Sequence, residues 1–312
     1  MTAAMTTTPA PATGINRFEA LKQNALAFHQ PSTAHQRALE ASIWPARPRI
    51  AGKQTFISAV RAEWLKIRTL ASTWFTSAIT ITIMVLFGAG LAIGYAGSPE
   101  RADTAKDAIS SGSTLGMIVV AVLGALVVTG EYASGQIRSS MVAIPHRGRL
   151  FAAKALVVAA FAFTLGLISV ALSYAVSYPF MKGHAGSLAD SHYLGMFWGT
   201  GLSFAVIALM ALGLGYLTRS TAGAITVVVS LLFVVPIPLQ LMANRWDWAA
   251  KAMGLLPHTV SAAVTDPFCL ANEWGQAGTA TFLQHWQAIA VFAAWALVPL
   301  MIAGILFSRR DA

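Results

Sequence analysis

Six apolar runs, each about 20 residues long, most constrain what this chain can fold into. They lie near 73–95, 114–130, 151–178, 193–217, 222–242 and 286–307. At a rise of 1.5 Å per residue, a helix of about 20 residues crosses a hydrocarbon core of roughly 30 Å. Backbone polar groups must be paired in lipid, and the runs lack the alternation of an outer-membrane barrel. Each run is therefore predicted to be a transmembrane helix, which makes the chain an all-α integral membrane protein.

Composition and charge distribution agree with this prediction. Hydrophobic residues make up 56% of the chain and charged residues only 11%, whereas soluble domains carry about a quarter charged residues. In the six-span arrangement, sixteen of the 21 Lys and Arg residues fall on one side. This asymmetry follows the positive-inside rule and predicts that both termini are cytoplasmic. The net charge of +9 is then explained by topology, and we expect no nucleic-acid partner.

The polar segments flanking the spans suggest three parts. Residues 1–53 are polar and rich in proline, which predicts a disordered or weakly helical cytoplasmic N-terminus. Residues 54–72 follow helical spacing and predict an amphipathic interfacial helix, with Arg61, Glu63, Trp64, Lys66 and Arg68 as its candidate residues. A six-span membrane domain would occupy 73–308. Within it, the extracytoplasmic segment 243–285 predicts short re-entrant or interfacial helices.

No catalytic, metal or nucleotide site assembles from the sequence. The nearest string to a phosphate-binding loop, "AGKQT", lacks the upstream glycine spacing, and the seven histidines show no paired metal-ligand spacing. The middle of every predicted span is free of ionisable residues, which disfavours an ion-coupled carrier. We therefore expect a non-enzymatic chain without a cofactor or metal of its own.

Small and hydroxyl residues form helical stripes on two of the spans. Such spacing lets helix backbones approach closely, and it serves either helix packing or the lining of a substrate path. The stripes consist of Ser169, Ser173 and Ser177 on the third span and Gly195, Gly199 and Ser203 on the fourth.

The loop 131–150, between the second and third spans, is charged where hydrocarbon would otherwise continue. The spacing of Tyr132, Ile137, Met141 and Ile144 predicts a short cytoplasmic helix that Pro145 ends. The three basic residues that follow, Arg147, Arg149 and Lys154, are interpreted as cytoplasmic retention signals in contact with lipid headgroups. The acid at the end of the second span, Glu131, is expected to pair with Arg138, Arg61 or a cation of a partner.

Three sequence pieces occur in an order that resembles a known family. They are "VRAEWLKIRTLASTWF" before the first span, "GEYASGQIRSSMVAIPHRGRLFAAKAL" between the second and third, and the six-span plan with a long fifth-to-sixth connection. Over about residues 54–308 the chain resembles the permease subunits of type-2 ATP-binding cassette (ABC) exporters.

The resemblance implies a function and a set of site residues. Residues 133–144 would form the coupling helix seated in a groove of a separate ABC ATPase subunit, with 55–71 as the connecting helix beside it. The chain would act in the cytoplasmic membrane of a prokaryote, paired with a second permease chain in a homo- or heterodimer. Its cargo would be lipophilic or amphiphilic. The candidate coupling residues are Glu131, Tyr132, Gly135, Ile137, Arg138 and Met141.

Two alternatives stay open from the sequence. One is a membrane scaffold or immunity protein that sequesters a lipophilic compound without turnover, which would protect without an active ATPase. The other is an ion-coupled carrier, which would depend on a proton or sodium gradient.

Overall fold

A computed structural model describes residues 55–309 with gaps at 145, 182, 186, 189–190, 266–282 and 284, together with residues 19 and 22. The chain divides into two units, Met1–Lys53 and Gln54–Ala312, and only the second is described in detail. The predictions for residues 1–53, for Pro145 and for most of the segment beyond 265 lie outside the described residues.

The described part of the chain is helical and contains no strand. Its main helices, numbered in chain order, are α1 (Phe56–Thr69), α2 (Ala71–Ala96), α3 (Ser113–Ser134), α4 (Gln136–Ala143), α5 (Arg147–Ser177), α6 (Ser191–Thr218), α7 (Thr221–Ala243), α8 (Asp247–Gly254), α9 (Pro257–Thr265) and α10 (His285–Arg309). Short 3₁₀ turns occur at Ala102–Thr104, Asp107–Ser110 and Tyr178–Phe180.

Six of these helices, α2, α3, α5, α6, α7 and α10, are long and apolar enough to cross a membrane. The predicted all-α, six-span fold class is therefore confirmed. Two boundaries differ from the sequence prediction by four residues: α3 continues past residue 130 to Ser134, and α5 begins at Arg147 rather than near 151. Both extensions take charged residues into the ends of the spans.

The fourth span, α6, lies at the centre of the bundle. It packs against α3, α5 and α10 and is the most completely buried of the spans. Its contact with α5 is close because both helices present glycine: a Cβ placed on Gly166 would lie 2.8 Å from the Cα of Gly201. Interfaces of this kind need small residues so that the backbones can approach.

The two predicted small-residue stripes face this packed interior. Their members Ser169, Ser173, Ser177, Gly195, Gly199 and Ser203 are all buried inside the single chain. The hydroxyl of Ser173 also donates a hydrogen bond to the carbonyl of Ile109 at 3.0 Å. In the structure these residues are therefore packed inside the single chain.

Two spans contain a π-helical turn, at Val85–Ala89 in α2 and at Ser230–Val234 in α7. In α7 the amide of Val235 donates to the carbonyl of Ser230 at 2.8 Å, and Pro236 then starts a fresh α-helical segment. Proline is tolerated at the first helical position because its missing N–H would be unpaired there anyway. The fifth span thus continues to Ala243 through the Pro236 and Pro238 region.

The helix α1 begins at an N-cap in which the hydroxyl of Thr55 accepts from the amide of Ser58 at 3.2 Å. It ends at Thr69, and Leu70, a single extended residue, separates it from α2. The residues it buries are Ala59, Glu63 and Ile67. The helix therefore places a carboxylate at the centre of its packed face.

Two further helices, α8 and α9, lie in the segment predicted to be re-entrant or interfacial, and their depth in the membrane stays a prediction.

Candidate functional site: a buried charge cluster beside α4

The short helix α4 is set off from the end of the second span by one residue. Gly135 joins α3 to α4 with φ 71° and ψ 3°, the left-handed conformation that residues with a Cβ avoid. This single turn ends one helix and starts the next, so the chain changes direction sharply between Ser134 and Gln136.

The faces of α4 differ in burial. Ile137 and Ser140 are buried against the bundle and Met141 is half-buried, whereas Arg138 is exposed. Val142 is 83% exposed, the largest value among the exposed large hydrophobic residues of the described chain. The helix therefore has an inner face fixed to the spans and an outer face that carries an apolar and a basic side chain.

Behind the inner face, four charged side chains from three helices meet. Lys154 of α5 lies with its Nζ 2.5 Å from Glu63 Oε2 and 2.8 Å from Glu131 Oε1. Lys66 of α1 lies with its Nζ 2.7 Å from Glu63 Oε1 and 2.9 Å from Glu131 Oε1. Each lysine thus bridges both carboxylates. These four residues are called the charge cluster below.

The charge cluster is buried and electrically balanced. Lys154 is 0%, Glu63 1% and Glu131 5% exposed, and only Lys66 reaches solvent appreciably. Two carboxylates and two ammonium groups cancel, which is the condition under which charges tolerate burial. Burial lowers the pKa of Lys66, but its hydrogen bonds to Glu63 and Glu131 and their negative charges outweigh this, so the net pKa is raised.

A hydrogen bond connects the charge cluster to α4. Lys66 Nζ donates to the hydroxyl of Ser140 at 3.0 Å, so one lysine contacts α1, α3 and α4 together. A cavity of about 400 Å³ adjoins the cluster and is lined in part by Glu131, Ser134 and Gln136. The second oxygen of Glu131, Oε2, is buried without a hydrogen-bond partner among the described residues.

The expected pairing of Glu131 with Arg138 or Arg61 was wrong. In the described chain it pairs with Lys66 and Lys154, and Arg138 and Arg61 are both exposed away from it. The headgroup interpretation of Lys154 was also wrong, since its side chain is fully buried. Lys154 lies two helical turns into α5, where a charge needs an internal partner because lipid supplies none.

The remaining predicted residues are exposed on α1, in contact with other helices, or on or next to α4. Arg61 and Arg68 are exposed on α1, while the ring of Trp64 packs edge-on against Phe161 of α5, with centroids 6.3 Å apart. Arg147 donates to the carbonyl of Phe307 at 3.4 Å. Of the six predicted coupling residues, the structure thus places Glu131 in the charge cluster, and it places the others along α4 or at its entrance.

Tyr132 belongs to an aromatic group at the same end of the bundle. Its ring meets that of Tyr216 edge-on, with centroids 6.3 Å apart and planes at 88°. Tyr216 in turn packs against Phe151 and Phe307, with centroids 4.9 and 5.1 Å apart. The rings join α3, α5, α6 and α10. Sequence reasoning missed Tyr216, Phe151 and Phe307, because the contacts connect residues far apart in the chain.

Among the described residues, no group of three or more His, Cys, Asp and Glu side chains is arranged to hold a metal ion. The contacts that the structure shows at the site are ion pairs and hydrogen bonds within the chain. The fold is that of a polytopic helical membrane protein, with a short helix at the junction of two spans that is held from behind by buried ion pairs.

Comparison with known proteins agrees with this class. The family model described as ABC-2 family transporter protein matches residues 59–236, from within α1 to Pro236 of α7. The matched region exceeds half of the chain and includes the whole charge cluster and α4, so the chain belongs to the ABC-2 transporter family. It is a permease component of an ABC transporter, and the family implies an ABC ATPase partner. No curated protein matches the sequence.

Proposed function

We propose that this chain is the permease subunit of an ATP-driven exporter that moves a lipophilic or amphiphilic cargo across the cytoplasmic membrane of a prokaryote. A separate ABC ATPase supplies the energy, and a second permease chain, identical or related, completes the transport unit. Family membership supports the transport role. The apolar character of the six spans supports a membrane-soluble cargo.

The single observation that carries this proposal is the construction of α4. Its outer face presents Val142 and Arg138 to solvent, which suits a groove on another protein. Its ends continue into the spans α3 and α5, and Ser140 on its inner face bonds to Lys66. A displacement of α4 would therefore be passed to two spans and to α1, rather than absorbed by a flexible loop.

The charge cluster makes this transmission stiff. Buried ion pairs lose much of their energy when one partner is displaced, because the other charge is left uncompensated. The helices α1, α3 and α5 consequently move as one body with α4 when the ATPase subunits close. Rigid-body movement between two states is common in proteins whose domains close when a ligand binds. Here the spans would move in this way when the ATPase closes on ATP. In this scheme the termini and α4 lie on the cytoplasmic side.

The interaction with the ATPase is tested by co-purification. The chain and a candidate ABC ATPase are expressed together, and the amount of ATPase retained on a tagged permease is measured. Val142→Asp should reduce retention at least tenfold, because it places a charge in an apolar contact. Ser308→Asp adds the same charge at an exposed position at the end of α10 and should leave retention unchanged. Equal retention by both variants, or none by the natural sequence, contradicts the proposal.

The orientation is tested by cysteine labelling. Cys269 is the single cysteine, so Cys269→Ser provides a background in which Val142→Cys is the sole thiol. A membrane-impermeant maleimide should label this thiol in inverted vesicles and not in intact cells. Labelling from outside intact cells would place α4 on the wrong side of the membrane for an ATPase.

A further inference from the structure

The turn between the fourth and fifth spans has an unusual backbone. Arg219, which follows the end of α6 at Thr218, has φ 52° and is the one non-glycine residue with positive φ in the described chain. The left-handed conformation is unfavourable for a long side chain. Such outliers persist when surrounding contacts hold them, and they occur often at functional positions.

Two contacts hold this turn against the end of α3. The guanidinium carbon of Arg219 lies 5.3 Å from the ring centroid of Tyr132, within the range of a cation–π contact. Two residues further on, the hydroxyl of Thr221 donates to the hydroxyl of Thr129 at 2.7 Å, and Thr129 donates to the carbonyl of Ala125 at 2.9 Å. The start of α7 is thereby attached to α3.

The residues contacted on α3 are close in sequence to Glu131 of the charge cluster. Thr129 and Tyr132 lie on either side of Glu131, within one helical turn of it. The turn itself is well defined: the amide of Arg219 donates to the carbonyl of Gly215 at 2.9 Å, and the hydroxyl of Ser220 accepts from the amide of Gly223 at 3.3 Å. If this part of α3 moves, it therefore displaces a short α6–α7 turn that is held by its own hydrogen bonds.

The fifth span is suited to follow such a displacement. α7 and α10 are the least buried of the six spans, so α7 is less constrained by packing than the central α6. Its π-helical turn at Ser230–Val234 begins nine residues after Thr221. The half of α7 nearest Arg219 can thus move with α3 while the remainder responds at the irregular turn.

We propose that Arg219 and Thr221 are positioning residues that transmit movement of the α3–α4 joint to the fifth span. The inference rests on the proposed function, since it takes the movement of α4 to be driven by an ATPase. The cation–π contact and the hydroxyl bond then act as two parallel links between the end of α3, which carries Glu131, and the start of α7.

The test follows the outer end of α7 with a thiol probe. Asn244→Cys, exposed at the C-terminus of α7, is introduced into the Cys269→Ser background, and its maleimide labelling rate is measured with the bound ATPase before and after a non-hydrolysable ATP analogue. With Arg219 and Thr221 unchanged, the labelling rate should change when the nucleotide analogue is added. Arg219→Gly combined with Thr221→Val should abolish that change while retaining the ATPase.

The positive φ at Arg219 makes this variant informative. Glycine adopts φ 52° without strain, and this relief offsets the loss of the cation–π contact, so Arg219→Gly should fold about as well as the natural sequence. A loss of the nucleotide response at unchanged thermal stability then reports lost transmission. Arg219→Lys and Thr221→Ser keep a cation and a hydroxyl, and together they should retain the response. A full response in the Arg219→Gly, Thr221→Val variant overturns the inference.

A second measurement needs no ATPase and separates this inference from the proposed function. Tyr132→Leu should change the labelling rate at Asn244→Cys by roughly two- to fivefold, the factor that an exposed cation–π contact is worth, when Arg219 is present. It should have no such effect when Arg219 is glycine. Additive effects in this double-mutant cycle overturn the inference, whereas failure of the ATPase to co-purify overturns only the proposed function.

Discussion

Removal of the Lys154 ammonium group is the sharpest test of the charge cluster. Lys154→Met keeps the length and most of the apolar stem but deletes the contacts of 2.5 Å to Glu63 and 2.8 Å to Glu131. Glu131 still meets Lys66, yet the cluster changes from neutral to a net charge of −1 at a site where Lys154 is 0% exposed. Breaking a buried pair by removing one partner costs about 3–5 kcal/mol.

This cost is large enough to measure as thermal stability. At about 2–4 °C per kcal/mol, the lower figure of about 3 kcal/mol lowers Tm by roughly 6–12 °C. Tm is followed by fluorescence-detected size exclusion of the purified protein in detergent. The matched control is Arg61→Met, which removes an exposed cation of α1 and should change the stability by less than about 0.5 kcal/mol.

A compensated variant distinguishes lost charge balance from lost packing. Glu63→Gln with Lys154→Met restores neutrality and leaves Glu131 paired with Lys66. Because replacing a buried pair as a whole is often close to neutral, we expect the double variant to recover most of the stability. A Lys154→Met protein whose Tm equals that of Arg61→Met, or a double variant less stable than the single one, would refute the reasoning.

Three further predictions concern Lys66, His258 and Gly135. Because the pKa of Lys66 is raised above 10.5, its pairing stabilises the fold fully below pH 10.5, and this contribution is lost as pH rises through the folded-state pKa. The Tm difference between the natural protein and Lys66→Met should therefore be constant at neutral pH and shrink in strong alkali; shrinkage near pH 8 would contradict this. Burial lowers the pKa of His258 in α9 below 6.5, so the neutral form is favoured and stability should decline as pH falls below 6.5. His258→Gln should flatten that decline in Tm measured from pH 7.5 to 5, and an unchanged slope would exclude His258 as its source. Gly135→Ala should lower stability by about 1–2 kcal/mol through backbone strain alone, since a Cβ there meets nothing within 4 Å. Gly135→Asn should lose less, and equal Tm values for both variants and the natural protein would argue against the left-handed turn.

The six spans and α4 were accessible to sequence reasoning because each depends on local pattern. Apolar length identified the spans, and the spacing of Ile137 and Met141 identified the short helix. The partners of Glu131 were not accessible, because its contacts with Lys66 and Lys154 join residues 65 and 23 positions apart in the chain. A local signal did exist for Lys154: it falls at four-residue intervals with Leu150 and Val158, both fully buried, and so lies on the inner face of α5.

The interpretation of Lys154 as a headgroup contact was wrong because a carboxylate of α1 is available to it inside the protein. A lysine near a span end is expected to extend to the lipid–water interface, which is the usual solution when no acid is available. Here the acid is Glu63, on the seam Ala59–Glu63–Ile67 that α1 turns towards the spans. An acid in the middle of an otherwise apolar helical stripe therefore predicts a buried cation on the neighbouring helix.

The π-helical turns of α2 and α7 suggest how the contacts at the charge cluster could be linked to movement of the spans. α1 leads into α2 after the single residue Leu70, and the α6–α7 turn, which contacts α3, leads into α7. The spans α2 and α7 therefore both start next to α1 or α3, two helices that contribute residues to the charge cluster. Each of these two spans has a π-helical turn further along, at Val85–Ala89 and Ser230–Val234. Because π turns are local departures from regular helix and often mark functional positions, we expect the segments before them to move with the cluster. The segments beyond them would then lag behind, and this difference would convert a push on α4 into a change of shape across the membrane.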